Sequence, residues 1–173
     1  QIDFEKSTAD NFADENARFI GKYGELRKSL DYNYHKRYSE ERQLLHDEII
    51  DQFTSTIVYD GDVICDTPLM NWIVFTAGPM GAGKSHLLRW LSSKRYFPLE
   101  AFVRVDPDLL RDLLPETPSY FIHDPNMAGI LTQKEVGYIS EVLTLWALQH
   151  HRNVIVDGSM RDASWYTAYL KGL

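Results

Sequence analysis

Trp72-Ile73-Val74-Phe75-Thr76-Ala77-Gly78-Pro79-Met80-Gly81-Ala82-Gly83-Lys84-Ser85 is the stretch from which the fold of this chain can be read. Its second half matches G-x-x-x-x-G-K-[ST] in full. Glycines at these positions let the backbone curl so that successive N–H groups turn toward phosphate oxygens, and the helix that follows offers its positive N-terminus to the same anion. Lys84 adds a mobile positive charge for the β- and γ-phosphates, and Ser85 adds a hydroxyl for Mg²⁺. Gly78, Pro79, Met80, Gly81, Ala82, Gly83, Lys84, Ser85 and the adjoining His86 are therefore the expected contacts of a nucleotide. The flanks supply the context this motif needs. Trp72–Thr76 is a short continuous apolar run, as expected for a strand buried on both faces, and a helix is expected from about Gly83 to Ser93.

Working outward, strands continue to alternate with helices. Phe102–Val105 reads as a second strand, and Asp106-Pro107 opens a short helix that stops at Pro115. Residues 115–131 hold three prolines, Asn126 and Gly129, so mostly loop is expected there. Thr132-Gln133-Lys134-Glu135 has the form of a capping box, opening a long helix to about His150. Asn153–Asp157 is a third strand, and Trp165–Leu170 starts a further helix. This alternation predicts an α/β fold with a parallel, right-handed sheet and flanking helices. Residues 1–53 are polar, charged and aromatic at helical spacing. Ser39 is placed to cap a helix running to Phe53, with Glu40 and Glu41 in its first turn and Leu45, Ile49 and Phe53 along one face. Asp60-Gly61 between Thr56–Tyr59 and Val63–Cys65 predicts a short hairpin, closed off by Thr67-Pro68. The expected division is a helical N-terminal extension over 1–70 and an α/β domain over 71–173.

With 173 residues, 44% of them apolar, the chain is long enough for its own core. A net charge of −7 lacks the electrostatic footprint of a duplex-binding protein, so a nucleic-acid partner is not expected. Cys65 is the single cysteine, which suits a reducing, cytoplasmic setting. No apolar run has the length of a bilayer-spanning helix, so no membrane partner is expected. The chain opens on Gln1 rather than methionine, and the expectation is a native start further upstream, with a removed leader left open.

The acidic residues near the strand ends come next. Asp157 closes the third strand, where ligands of open α/β sheets bind; it suits a Walker-B acid that holds Mg²⁺ through water, or a turn aspartate before Gly158. Asp106 suits a helix N-cap ahead of Pro107. Asp108 suits the base that accepts a proton from the acceptor hydroxyl. Glu135 is accounted for by the capping box. Glu141 shares a helix stripe with Tyr138, Leu145 and Leu148 and either contacts substrate or borders solvent. His150 and His151 fit a helix C-terminus, and His123 with Asp124 is too little for a metal site. Tyr32, Tyr34 and Tyr38 read as packing residues, while Lys36-Arg37 and Lys94-Arg95 read as solvated pairs.

Three blocks in order, Trp72–Ser85, Val105-Asp106-Pro107-Asp108-Leu109-Leu110-Arg111 and Asn153–Asp162, resemble the zeta-toxin family of P-loop kinases. Its eukaryotic zeta-toxin-domain proteins look most similar. The resemblance covers about residues 71–173 and, more loosely, Tyr38–Ile50. It implies ATP- or GTP-dependent, Mg²⁺-assisted phosphorylation of a sugar hydroxyl, the acceptor of the bacterial toxins being UDP-N-acetylglucosamine. By position it makes Lys84 the phosphate-binding lysine, Asp108 the base, Glu141 the substrate-contacting helix glutamate and Asp157 the acid that closes the third strand. Asp106 and Arg161 fall in the same blocks as further substrate contacts. The family pattern continues beyond the position of Leu173 with more strands and an arginine-bearing lid. For residues 1–173 alone, the expectation is a phosphate site without an adenine pocket or arginine clamp, and an inactive piece. No antitoxin-like partner is legible. Two rival functions fit the same motif: a kinase of nucleic-acid ends and a nucleotide-binding module without catalysis.

Overall fold

The structure is a computed structural model and describes residues 2–55, 59–60, 63–64, 70–79, 81–158, 160 and 163–172. In chain order the elements are helices α1 (Thr8–Asn11), α2 (Gly24–Arg27) and α3 (Glu40–Asp51), strands β1 (Tyr59–Asp60), β2 (Val63–Ile64) and β3 (Ile73–Phe75), and helix α4 (Lys84–Ser93). Strand β4 (Phe102–Val105), helices α5 (Pro107–Asp112), α6 (Thr117–His123) and α7 (Ala128–Gln149), strand β5 (Asn153–Val156) and helix α8 (Ala163–Gly172) follow. Two compact units result, Gln1–Gln52 with Pro107–Leu143 and Phe53–Asp106 with Thr144–Leu173.

The second unit is built on a parallel sheet of order β3-β5-β4, with Val74 opposite Ile155 and Val103 opposite Val154. All four β5 residues are buried, as a central strand of this type requires. β3 instead lies at the edge, and all three of its residues are only partly buried. The expectation of a strand buried on both faces fails for that reason, and Trp72 just before it is exposed. One face of the sheet carries Ala101, Phe102 and Ile155 packed with Val74, Leu88, Phe97 and Leu99, which seats α4. On the other face, Phe75 meets the Tyr166 and Tyr169 rings of α8 edge-on, at 6.3 and 6.2 Å. β1 and β2 pair antiparallel, with Asp60 opposite Val63. The hairpin is thus present at its strands, and Asp60 belongs to the ladder; residues 56–58, 61–62 and 65–69, including Thr67-Pro68, lie outside the described residues.

The first unit is helical. Ser39 caps α3 by accepting the Arg42 N–H at 3.3 Å, as predicted, with Glu40 and Glu41 in the first turn. The buried face of α3 differs from the expected apolar stripe. It presents Arg42, Gln43, His46 and Asp47 beside Ile49 and Ile50, and each of these polar side chains has a protein partner, although His46 Nδ1 is left without one among the described residues. Arg27 is fully buried and pairs with Asp47 at 2.5 Å, while its guanidinium also donates to the Ile20 and Gln43 carbonyls. Tyr38 packs between the His46 and Tyr138 rings at 4.9 and 4.8 Å, and Tyr32 meets Tyr138 at its hydroxyl. Arg37, expected in solvent, lies over the Phe19 ring at 4.7 Å and donates to the carbonyls of Glu15 and Ala17.

Residues 115–131 are not a loop. Pro118 sits in the first turn of α6, where its missing N–H costs nothing. Asp124 then accepts the N–H groups of Asn126 and Met127, so α7 starts at Ala128. The capping box at Thr132 is therefore absent. Thr132 lies inside α7 and donates to the Ala128 carbonyl at 2.8 Å, and Glu135 is buried in an ion-pair cluster. His123 pairs with Glu5 and stacks on Phe4.

Candidate phosphate-binding site

The site forms where β3 ends and α4 begins. Gly78, Gly81 and Gly83 have φ of 140, 79 and 81°, a region that side chains disfavour, so the curl of the loop depends on its glycines. Gly83 is the left-handed N-cap of α4. The first-turn amides of such a helix have no acceptor within it and carry the positive end of its dipole. Lys84 turns back over the loop, its Nζ donating to the Gly78 carbonyl at 2.9 Å and the Pro79 carbonyl at 3.3 Å. An ammonium held at the mouth of a glycine loop fits an anion of phosphate type. His86 is exposed in the first turn of α4; Met80 lies outside the described residues.

Next to the loop is a hydroxyl–carboxylate cluster. Ser85 Oγ donates to Asp157 Oδ2 at 3.0 Å, and Thr76 Oγ1 donates to Asp157 Oδ1 at 2.6 Å. The Asp157 N–H donates to the Val105 carbonyl and the Thr76 N–H to the Val156 carbonyl, so the strand ends set both residues. Asp157, one residue past β5, is thus brought beside Ser85. A hydroxyl next to a carboxylate, with no thiol or imidazole, is a donor set for a hard cation such as Mg²⁺. Ser85 and Asp157 are the residues that fit it. Gly158 follows; a Cβ there would lie 2.1 Å from the Tyr166 hydroxyl, so a larger residue requires Tyr166 to shift. Asp106, one residue past β4, lies 3.2 Å from Arg104 Nη2.

Asp108 and Glu141 belong to the first unit. The Asp108 side chain is 74% exposed, and its Oδ1 lies 2.5 Å from Arg111 Nη1. Arg111 also donates to Thr132 Oγ1 and Gln133 Oε1. Glu141 is nearly buried and sits 2.9 Å from Nε2 of the buried His35, so the glutamate on an apolar stripe has its partner. Arg161 lies outside the described residues. Among the described residues no group of three or more His, Cys, Asp and Glu side chains is placed to hold a metal ion, and no helix is long and apolar enough to cross a membrane. The sequence reading missed Thr76, counted there only as the end of an apolar run. A hydroxyl residue at that strand end was the available signal.

No curated protein matches this chain. Among solved structures it is similar to a protein of the PezAT chromosomal toxin–antitoxin system of Streptococcus pneumoniae, with 16% identity and a TM-score of 0.54, a likeness of fold. The match covers 78% of this chain and 54% of that one, so the chain spans about half the length of that relative. The family model for zeta toxin matches residues 58–173, which take in the glycine loop, all three strands of the parallel sheet, Asp106, Asp108, Glu141 and Asp157. With more than half of its length so matched, the chain belongs to the zeta toxin family of P-loop, kinase-like α/β proteins.

Proposed function

We propose that the chain carries the phosphate-binding part of a kinase that transfers the γ-phosphoryl group of ATP or GTP to a hydroxyl of a small molecule. A nucleotide sugar such as UDP-N-acetylglucosamine is the first acceptor to test. The observation that carries this reading is the convergence of Lys84, Ser85 and Asp157 around one glycine loop. Lys84 would exchange its two carbonyl contacts for phosphate oxygens and offset the charge that builds up during transfer. Ser85 and Asp157 would hold Mg²⁺, which when bound neutralises phosphate charge. Asp108 would take the acceptor's proton as the acceptor oxygen bonds to the γ-phosphorus, the bond to the bridging oxygen breaks and the nucleoside diphosphate leaves. Asp106, Glu141 and Arg161 are the proposed acceptor contacts, and His86 with the loop the proposed nucleotide contacts.

The experiment is a phosphate-transfer assay on the full-length protein with labelled ATP or GTP and Mg²⁺, offering nucleotide sugars in one arm and oligonucleotide ends in another. Mass spectrometry of a metabolite pool, searched for the gain of one phosphate, extends the acceptor list. Label on a nucleotide sugar or another small hydroxyl compound supports the reading. Label on oligonucleotide ends moves the function to nucleic-acid repair chemistry, and nucleotide binding without transfer to any acceptor leaves a non-catalytic module.

A further inference from the structure

We infer that Thr76 is a positioning residue of this site, and that its hydroxyl holds Asp157 in the orientation needed to bind a divalent cation. The inference rests on the reading of Asp157 as a Mg²⁺-binding acid given above.

Asp157 meets two hydroxyls, one on each of its oxygens: Thr76 Oγ1 at 2.6 Å on Oδ1 and Ser85 Oγ at 3.0 Å on Oδ2. A carboxylate engaged on both oxygens cannot turn about its Cβ–Cγ bond without giving up a contact. The two hydroxyls differ in their own footing. Ser85 lies in the first turn of α4 and is the hydroxyl assigned to the metal, so its bond to Asp157 is the one that can be given up. Thr76 follows β3, outside the loop, and its backbone N–H is tied to the Val156 carbonyl at 3.0 Å. Its Oγ1 also accepts the Gly158 N–H at 3.1 Å.

The hydroxyl has a single proton. Its two acceptors within reach are Asp157 Oδ1 at 2.6 Å and the Gly158 carbonyl at 3.3 Å, so the proton goes to the carboxylate. Threonine is stiff at χ1 because of its β-branch, so once the backbone is set the hydroxyl has little freedom to leave. Thr76 therefore joins three things on one oxygen: the end of the edge strand, the turn after β5 and the acid between them. Groups that hold a metal's ligands from behind change metal affinity by roughly 10–100-fold when removed. They leave interactions that do not use the metal alone.

The test is calorimetric titration of the full chain with ADP, first in EDTA and then across a Mg²⁺ series. In the wild type, Mg²⁺ is expected to tighten ADP binding. Thr76→Val, of nearly the same shape, is expected to raise the Mg²⁺ concentration at half-effect roughly tenfold while ADP affinity in EDTA stays as in the wild type. Thr76→Ser, which restores the hydroxyl, is expected to return the Mg²⁺ dependence. Should the valine variant not fold, Thr76→Ala carries the same expectation. A valine or alanine variant with wild-type Mg²⁺ dependence overturns the inference. So does a serine variant as impaired as the valine one, since shape rather than the hydroxyl would then be what matters. A wild type whose ADP binding ignores Mg²⁺ is a different failure: it removes the metal role of Asp157 from the proposed function, and this inference with it.

Discussion

Arg42 Nε lies 2.5 Å from Glu135 Oε1, with both side chains out of solvent. The same guanidinium pairs with Glu116 and lies over the Phe12 ring at 3.8 Å. One cation therefore balances two buried carboxylates that come 74 and 93 residues later in the chain. Removing one partner of a buried pair strands the others without solvent, at a cost of about 3–5 kcal/mol. Arg42→Leu is expected to lower stability by that amount, seen as an earlier urea midpoint. Arg18 provides the reference. It pairs with Glu40 at the surface, where such pairs contribute little, so Arg18→Ala should leave the midpoint where it was. Equal shifts in the two variants would show that the buried cluster does not hold this unit together.

The same cluster sets the response to acid. Burial alone would push Glu135 up, but hydrogen bonds and charge from His46 and Arg42 outweigh it and hold the carboxyl at about 2, against an ordinary 4.5. Burial likewise pushes His46 below its ordinary 6.5, against the pull of Glu135. Both groups take up protons more readily in the unfolded chain than in the fold, so acid favours unfolding. The Glu135 contribution is fully present above pH 4.5 and is lost as pH falls toward 2, while the cost of keeping His46 neutral sets in below about 6.5. Denaturant midpoints are expected to be level above pH 7, to decline from about 6.5 and to fall most steeply below 4.5. Glu135→Gln should flatten the lower limb; a profile that keeps its full acid slope in that variant would assign the effect to other carboxylates.

Gly158 and Tyr166 make a reciprocal pair. A methyl group at 158 would sit 2.1 Å from the Tyr166 hydroxyl oxygen but 3.4 Å from the ring carbon that bears it. The conflict is with the hydroxyl, which burial also pushes up in pKa. Gly158→Ala is expected to destabilise the second unit by about 1–3 kcal/mol, in the range of overpacked sites. Adding Tyr166→Phe to it should recover most of that loss, a coupling that a double-mutant cycle measures directly. If the two changes simply add, the close approach is not the reason for the glycine.

The parts of this chain set by near neighbours were legible in its sequence. The glycine loop, the strands at 102–105 and 153–156 and the cap at Ser39 each follow from residue types within a few positions. What was not legible depends on distant partners or on proline in an unusual role. Pro115, Pro118 and Pro125 suggested a loop, yet Pro118 occupies a first helical turn and Asp124 ends that helix and accepts two amides of the short turn before the next. Thr132 and Glu135 have the spacing of a capping box, but Glu135 answers to Arg42 and His46 from far upstream. Arg42, His46 and Asp47 look like a solvated face until their partners are known. At the candidate site the same divide holds. Lys84 and Ser85 could be named from the motif, whereas the contact of Thr76 with Asp157 joins residues 81 apart in sequence.

Lys84 and Asp108 separate binding from chemistry. Lys84 carries the charge nearest the loop carbonyls, so Lys84→Ala is expected to weaken ADP binding and to abolish phosphate transfer together. Asp108 extends into solvent with Arg111 alongside; Asp108→Asn keeps its size and removes its capacity to accept a proton. Loss of a general base lowers a rate by roughly 10²–10⁴-fold. Asp108→Asn is therefore expected to reduce transfer by that factor with ADP binding unchanged in calorimetry. If the asparagine variant transfers phosphate at the wild-type rate, Asp108 is not the base and the acceptor's proton leaves by another route. If it loses ADP binding as well, the residue supports the fold of its helix, and the chemical role moves to another carboxylate near the strand ends, with Asp106 next to be tested.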